Sequence, residues 1–91
     1  MVAENMVAEN VDYEQAALKV VAALRRAFPE NATIVTSKGY VGHVQVKIVS
    51  EHLNGKKEQE KQGYLWDVLR TELGPEAQNV SFIIGYGTDE L

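Results

Sequence analysis

The stretch IVSEHLNGKKEQEKQGYLW, residues 48–66, decides the fold. It begins as a buried strand, breaks at Asn54-Gly55 and restarts as a strongly charged helix. Asn-Gly is a turn signal, because both residues tolerate backbone conformations that other side chains avoid. From about Lys57 the register is helical through Leu73. Leu65, Val68, Leu69 and Leu73 form its apolar stripe, with Tyr64 and Trp66 flanking it. The first two turns, KKEQEKQG, carry no apolar anchor, and Gly63 inside the helix costs about 1 kcal/mol relative to alanine. Two readings of this charged half stand side by side. One is a solvated face. The other is a partner-facing surface on which the bare Gly63 permits close approach. Gly74-Pro75 then ends the helix, a glycine cap followed by a residue that cannot continue it.

Upstream lies a hairpin. In HVQVKIVS, 43–50, Val44, Val46 and Ile48 share one face, and Gln45, Lys47 and Val49 the other. NATIVTSK, 31–38, is rich in β-branched residues and alternates in the same way, with Ala32, Ile34 and Thr36 on one side. GYVG, 39–42, supplies two glycines for the turn between them. Before the hairpin, Tyr13, Ala17, Val20, Leu24, Ala27 and Phe28 recur at helical steps. Asp12 and Gln15 resemble a capping box at the start of that helix, and Pro29 closes it. Downstream, NVSFIIGYG, 79–87, is a last strand. Strict alternation puts Val80, Phe82 and Ile84 on one face and Ser81 and Ile83 on the other.

The order α-β-β-α-β follows. The fold class is α+β: a three-stranded mixed sheet covered on one face by a layer of helices. Leu24, Val46, Ile48, Leu69 and Phe82 are the expected core.

Ninety-one residues make a single domain with a modest core. The first ten residues are MVAEN written twice, too short for a structural repeat. They read as a duplicated start or as a disordered tail, which assigns the domain to residues 11–91. No cysteine is present, so no disulfide, zinc-thiolate site or thiol nucleophile comes from this chain. That composition fits a reducing cytoplasm. No apolar run approaches the roughly 20 residues that span a bilayer. The formal net charge of −4 opposes strong nonspecific attraction to nucleic acid or anionic lipid.

Catalytic groups do not assemble in the sequence. His43 and His52 sit nine residues apart across one strand, nearly 30 Å if that strand is straight. Glu58 and Glu60 are two apart on a helix and point in different directions. Neither GYVG nor GYG has the lysine or the strand–loop–helix setting of a phosphate loop. The expectation is a protein that is not an enzyme.

HVQVKIVSEHLNGKKEQEKQGYLW resembles the signature region of the BolA-like family. That region has a His at the start of a strand and a β-run ending in Val-Ser. Two residues on comes a large apolar residue, then x-Gly-Lys, four variable residues and Arg-His opening the helix body. The matching residues are His43, Val49-Ser50, Leu53 in place of the usual Phe, and Gly55-Lys56. Lys61 stands where the Arg would be and Gln62 where the His would be. Leu65 and Leu69 fill the apolar helix positions. The end SFIIGYGTDEL is similar to the family's closing strand with its Thr-Pro-Glu-Glu tail, Asp89 replacing Pro. The resemblance covers residues 12–91 and implies the same α-β-β-α-β order, a BolA-like or KH-like fold.

The resemblance also implies a function: a non-enzymatic adaptor in iron–sulfur or redox regulation that binds a monothiol glutaredoxin-type partner. In that family the helix histidine helps hold a [2Fe-2S] cluster shared with the glutaredoxin, and a loop His or Cys supplies a second ligand. An imidazole nitrogen is a good iron ligand and a neutral carboxamide a poor one. Gln62 therefore weakens or removes cluster ligation, no cofactor is intrinsic to the chain, and His43, at the loop's edge, is left as the candidate metal ligand. Lys56, Lys57, Lys61, Gln62 and Gly63 form the expected partner surface, on a monomer or weak dimer. The alternative is a KH-like nucleic-acid-binding transcriptional regulator acting through Lys47, Lys56, Lys57 and Lys61. Against it, NGKKEQ contains no Gly-x-x-Gly backbone clamp.

Overall fold

A computed structural model describes the backbone of residues 2–39 and 42–91, and side chains from Tyr13 onward apart from 40 and 41. Helix α1 spans Val2–Ala27, β1 Thr33–Lys38, β2 Val44–Val49, α2 Glu58–Leu73 and β3 Val80–Tyr86. Short 3₁₀ turns at Glu51–Leu53, Gly74–Asn79 and Thr88–Glu90 join or finish these elements. The expected α-β-β-α-β layout is the one observed. The tandem MVAEN segment, expected to be a disordered tail, lies outside the residues whose side chains are described. Asp12 falls within α1 and not at its start, so a cap there is replaced by continuing helix.

The sheet has the order β1-β2-β3. β1 and β2 are antiparallel, with Ile34 opposite Ile48 and Thr36 opposite Val46. The Gly39 N–H donates to the His43 carbonyl at 2.6 Å and closes the hairpin, and Gly42 takes φ +76°, open to glycine at no steric cost. Tyr40 and Val41, the middle of the expected GYVG turn, lie outside the described residues. β2 and β3 are parallel, a pairing that needs a crossover, here α2.

Both helices pack against one face of the sheet. Ala17, Val20, Leu24 and Phe28 of α1 meet Val44, Val46 and Ile48 of β2 and Leu65 and Leu69 of α2 in one buried cluster. Gln45 and Lys47, between the buried β2 positions, are exposed on the opposite face. One-sided burial on β2 is therefore the alternation read from the sequence.

β3 departs from that reading. Phe82, expected in the core, is 50 % exposed, whereas Ile83 is 1 % exposed. The register explains the inversion. Val44 pairs with Val80 but the next residue, Gln45, pairs with Phe82, so Ser81 is an extra residue on β3. A bulge of one residue flips every later side chain to the other face. Past it, Ile83 and Gly85 turn toward the helices, and Phe82, Ile84 and Tyr86 join Gln45, Lys47 and Val49 on the open face.

Gly85 is required by the packing. A Cβ there would lie 2.8 Å from Cδ1 of both Leu53 and Leu65. The missing side chain lets α2 and the Glu51–Leu53 turn sit directly on β3.

The bulge gives a sharp stability test. Ile83→Ala should cost about 2–5 kcal/mol, the range for emptying a core position. Phe82→Ala should cost well under half of that, because the ring is already half in water. Urea denaturation of the two variants measures both, and a reversed order would show that strict alternation holds and the bulge does not.

Candidate functional site

The residues singled out in the sequence gather where α2 begins, beside the end of β3. Ser50, fully buried at the end of β2, donates its N–H to the Tyr86 carbonyl at 3.0 Å, and its Oγ accepts from the His52 N–H at 3.1 Å. Asn54 (φ −61°, ψ 137°) and Gly55 (φ +75°) then make a type II turn, closed by the Lys56 N–H on the Leu53 carbonyl at 3.3 Å. Lys57 is the N-cap residue of α2, and its N–H is held by Glu60 Oε1 at 2.9 Å. That contact is the returning half of a capping box, which satisfies a backbone donor the helix leaves free.

Lys61 was expected on an exposed surface, and the structure corrects this. It is 1 % exposed, with its Nζ 2.8 Å from Glu58 Oε1 and 2.8 Å from Glu90 Oε1. Its ammonium also lies 5.9 Å from the centroid of the Tyr86 ring. Burying a cation is tolerable only when it is paired and hydrogen-bonded, and two carboxylates meet that need. The hydrogen bond that Lys61 donates to Glu58, then the one it donates to Glu90, raises the Lys61 pKa above its ordinary value. The Lys61 hydrogen bond, followed by the Gly87 N–H at 2.7 Å, lowers that of Glu90.

Gln62 is engaged at both ends of its carboxamide. Nε2 donates to the Ile83 carbonyl at 2.7 Å, and Oε1 accepts from the Trp66 indole at 3.2 Å. β3 is an edge strand, so a side chain capping one of its carbonyls closes part of an exposed ladder. The residue acts as a clasp between α2 and the sheet.

The remaining predicted residues are dispersed. Lys47 stands on the open sheet face with Nζ 5.5 Å from the Tyr86 ring centroid. Lys56 lies over the Tyr64 ring at 5.5 Å, and Lys57 is exposed. A Cβ on Gly63 would meet nothing within 4 Å, so that position is bare and open. His43 precedes β2, whereas His52 follows it and packs its ring 5.9 Å from that of Phe28. His43 lies three residues before Val46, the partner of Ile83 on which Gln62 is clasped, a separation of about 10 Å along the strand. Among the described residues, no three His, Cys, Asp or Glu side chains gather in a way that could hold a metal ion. A shallow cleft between the helices, lined by Ala27, Tyr64, Asp67, Val68, Thr71 and Glu72, contains neither histidine nor a nucleophile–base pair.

Sequence reasoning missed the 87–91 segment. Asn54 Nδ2 donates to Thr88 Oγ1 at 2.9 Å, and Asn54 Oδ1 accepts from Thr88 Oγ1 at 3.2 Å and from the Asp89 N–H at 3.3 Å. The Gly55 N–H donates to Asp89 Oδ2 at 3.1 Å. Gly87 permits the approach, since a Cβ there would collide with the side chains of Asp89 and Asn54. In the sequence this Thr-Asp-Glu-Leu tail figures only in the resemblance, with no contact assigned to it.

No family model, curated protein or solved structure matches the chain. No helix among the described residues is long and apolar enough to cross a membrane.

The Lys61–Glu90 pair makes stability depend on pH at both extremes. Glu90 has a lowered pKa in the fold, so its contribution is present above the ordinary 4.5 and lost as pH falls through the lower folded value. Lys61 has a raised pKa, so its contribution is present below 10.5 and lost as pH rises through the higher folded value. Glu90→Gln should therefore be less stable than wild type at neutral pH. The gap should close as pH falls below 4.5. Urea denaturation across a pH series reads the difference, and a gap constant with pH would mean the pair is not coupled to folding.

Proposed function

We propose that this chain is a BolA-like, non-enzymatic adaptor of the cytoplasm. It binds a monothiol glutaredoxin-type partner in iron–sulfur or redox regulation, and supplies no cluster ligand from α2. The observation that carries the reading is the clasp at Gln62. At the position where the resemblance implies a cluster histidine, the side chain is a carboxamide bonded to Ile83 and Trp66. The residues do not fit a helix-ligated [2Fe-2S] centre. A carboxamide is a poor iron ligand, this one is already engaged at both ends, and the chain has no cysteine. His43 is left as the one candidate donor near the hairpin loop.

Partner binding itself is supported by the surface around Lys56, Lys57 and Gly63. Two exposed lysines lead into α2 alongside exposed Glu58 and Glu60, and Gly63 further along the helix is a bare position where another backbone can approach without meeting a side chain. Lys61 contributes to this surface by holding α2 in place, not by contact. The same burial weakens the nucleic-acid alternative. Of its four lysines, Lys61 is neutralised by carboxylates and Lys47 lies on the sheet face over Tyr86.

The test is calorimetric and spectroscopic. Wild type titrated with a monothiol glutaredoxin should bind. Under cluster-reconstituting conditions, the mixture should show the visible absorption and circular dichroism of the glutaredoxin cluster alone. Gly63→Ala should stabilise the isolated chain by about 0.5–1 kcal/mol and weaken partner binding, because the new methyl fills the bare contact. A histidine-ligated spectrum in wild type that His43→Ala abolishes would move the chemistry to His43. Absence of binding, together with oligonucleotide binding that persists near physiological salt, would favour the nucleic-acid regulator.

A further inference from the structure

Asn54-Gly55 is the chain's one Asn-Gly pair. Such a pair is the most reactive setting for asparagine deamidation, because glycine leaves the following amide nitrogen unhindered. The reaction is an attack by the Gly55 backbone nitrogen on Cγ of Asn54. The nitrogen loses its proton, the Cγ–Nδ2 bond breaks and ammonia leaves. Water then opens the resulting cyclic imide at either carbonyl, giving aspartate or isoaspartate. No electrons are transferred, and water is the only co-reactant.

In the folded chain every atom in that reaction is restrained. The nucleophile's N–H is bonded to Asp89 Oδ2, while the leaving nitrogen Nδ2 and the Oδ1 of the electrophilic amide are bonded to Thr88 and Asp89. The backbone is also set wrongly. The five-membered ring requires the Gly55 nitrogen to eclipse Cβ of Asn54, and a ψ of 137° in the type II turn holds it far from that position. All of these restraints except the turn come from the 87–91 segment, which is fastened by the Glu90 carboxylate on Lys61 and on the Gly87 N–H.

We propose that Asn54 is a modification site gated by this segment: when residues 87–91 lift, Asn54 deamidates, and the carboxylate formed keeps the segment from closing. The second half follows from charge. Oδ1 of Asn54 accepts and Nδ2 donates in the present contact, but a carboxylate at position 54 only accepts. It would face the carboxylate of Asp89 across the same gap. Like charges so close disfavour the docked state. With the segment released, Glu90 leaves Lys61, and the buried ammonium keeps Glu58 as its sole carboxylate partner. The modification thus converts a closed patch at the start of α2 into an open one in which the Lys61 ammonium is reachable, irreversibly and without an enzyme.

The experiment ages the full chain in mildly alkaline buffer and follows deamidation at residue 54 by peptide mass mapping. Wild type is compared with Thr88→Val/Asp89→Ala and with wild type in urea. Circular dichroism confirms that the variant stays folded. The variant should deamidate about tenfold faster than folded wild type, the factor expected when one or two hydrogen bonds no longer oppose local opening. Urea should remove the difference between them. Equal rates for folded wild type, folded variant and unfolded chain would overturn the gate. For the second half, Asn54→Asp is treated with an amine-acylating reagent. Acylation of Lys61 should rise well above the wild-type level, and Lys61 as protected as in wild type would overturn the claim that the product holds the segment open.

Discussion

The buried ammonium of Lys61 is the constraint on which this end of the molecule depends. An unpaired cation could not occupy a site with 1 % exposure, so the fold must bring carboxylates to it. Glu58 comes from the preceding turn of α2, which fixes the helix start. Glu90 comes from beyond β3, which requires the chain to reverse after Tyr86 and run back over Asn54-Gly55. The same reversal places Asp89 on the Gly55 amide and Thr88 on the Asn54 side chain. One charge therefore organises the N-terminus of α2, the type II turn and the last residues of the chain into a single polar assembly. Its cost is met by hydrogen bonds: no buried side-chain nitrogen or oxygen among the described residues lacks a partner.

The apolar core imposes a second condition, that α2 lie close to β3. Gly85 removes a side chain that would strike Leu53 and Leu65, and the bulge at Ser81 brings Gly85 to the inner face in the first place. Without the bulge, strict alternation would put Phe82 against the helices and turn Ile83 and Gly85 outward. Gln62 depends on this geometry as well, because its carboxamide reaches the Ile83 carbonyl only if α2 runs along the outer edge of β3. Bulge, glycine and clasp serve one approach of helix to strand.

Much of the fold was legible because it rests on short-range pattern. The alternation of Val44, Val46 and Ile48, the spacing of Val20, Leu24 and Phe28, and the Gly74-Pro75 stop are each set by neighbours within a few residues. The bulge was not legible. Nothing in Val-Ser-Phe-Ile-Ile marks Ser81 as the supernumerary residue, and its position is decided by pairing with β2, more than thirty residues earlier. The polar assembly was hidden for the same reason. Lys61 and Glu90 are 29 positions apart, and Asn54 and Asp89 are 35 apart. A lysine in a charged helical run reads as solvated unless a distant carboxylate is known to reach it.

Gln62 shows how such long-range contacts bear on function. A histidine at this position could accept or donate through one ring nitrogen at a time in its neutral form, leaving the other for a metal. A carboxamide offers a donor and an acceptor together, and here both are used within the chain, on a strand carbonyl and an indole. Gln62 is therefore satisfied inward, where a histidine would keep one nitrogen able to reach outward. With Lys61 sequestered as well, the start of α2 presents outward Lys56, Lys57, Glu58, Gln59, Glu60 and the bare backbone at Gly63. Charges of both signs are therefore exposed there, and the bare position at Gly63 is the feature of shape that sets this end of the helix apart.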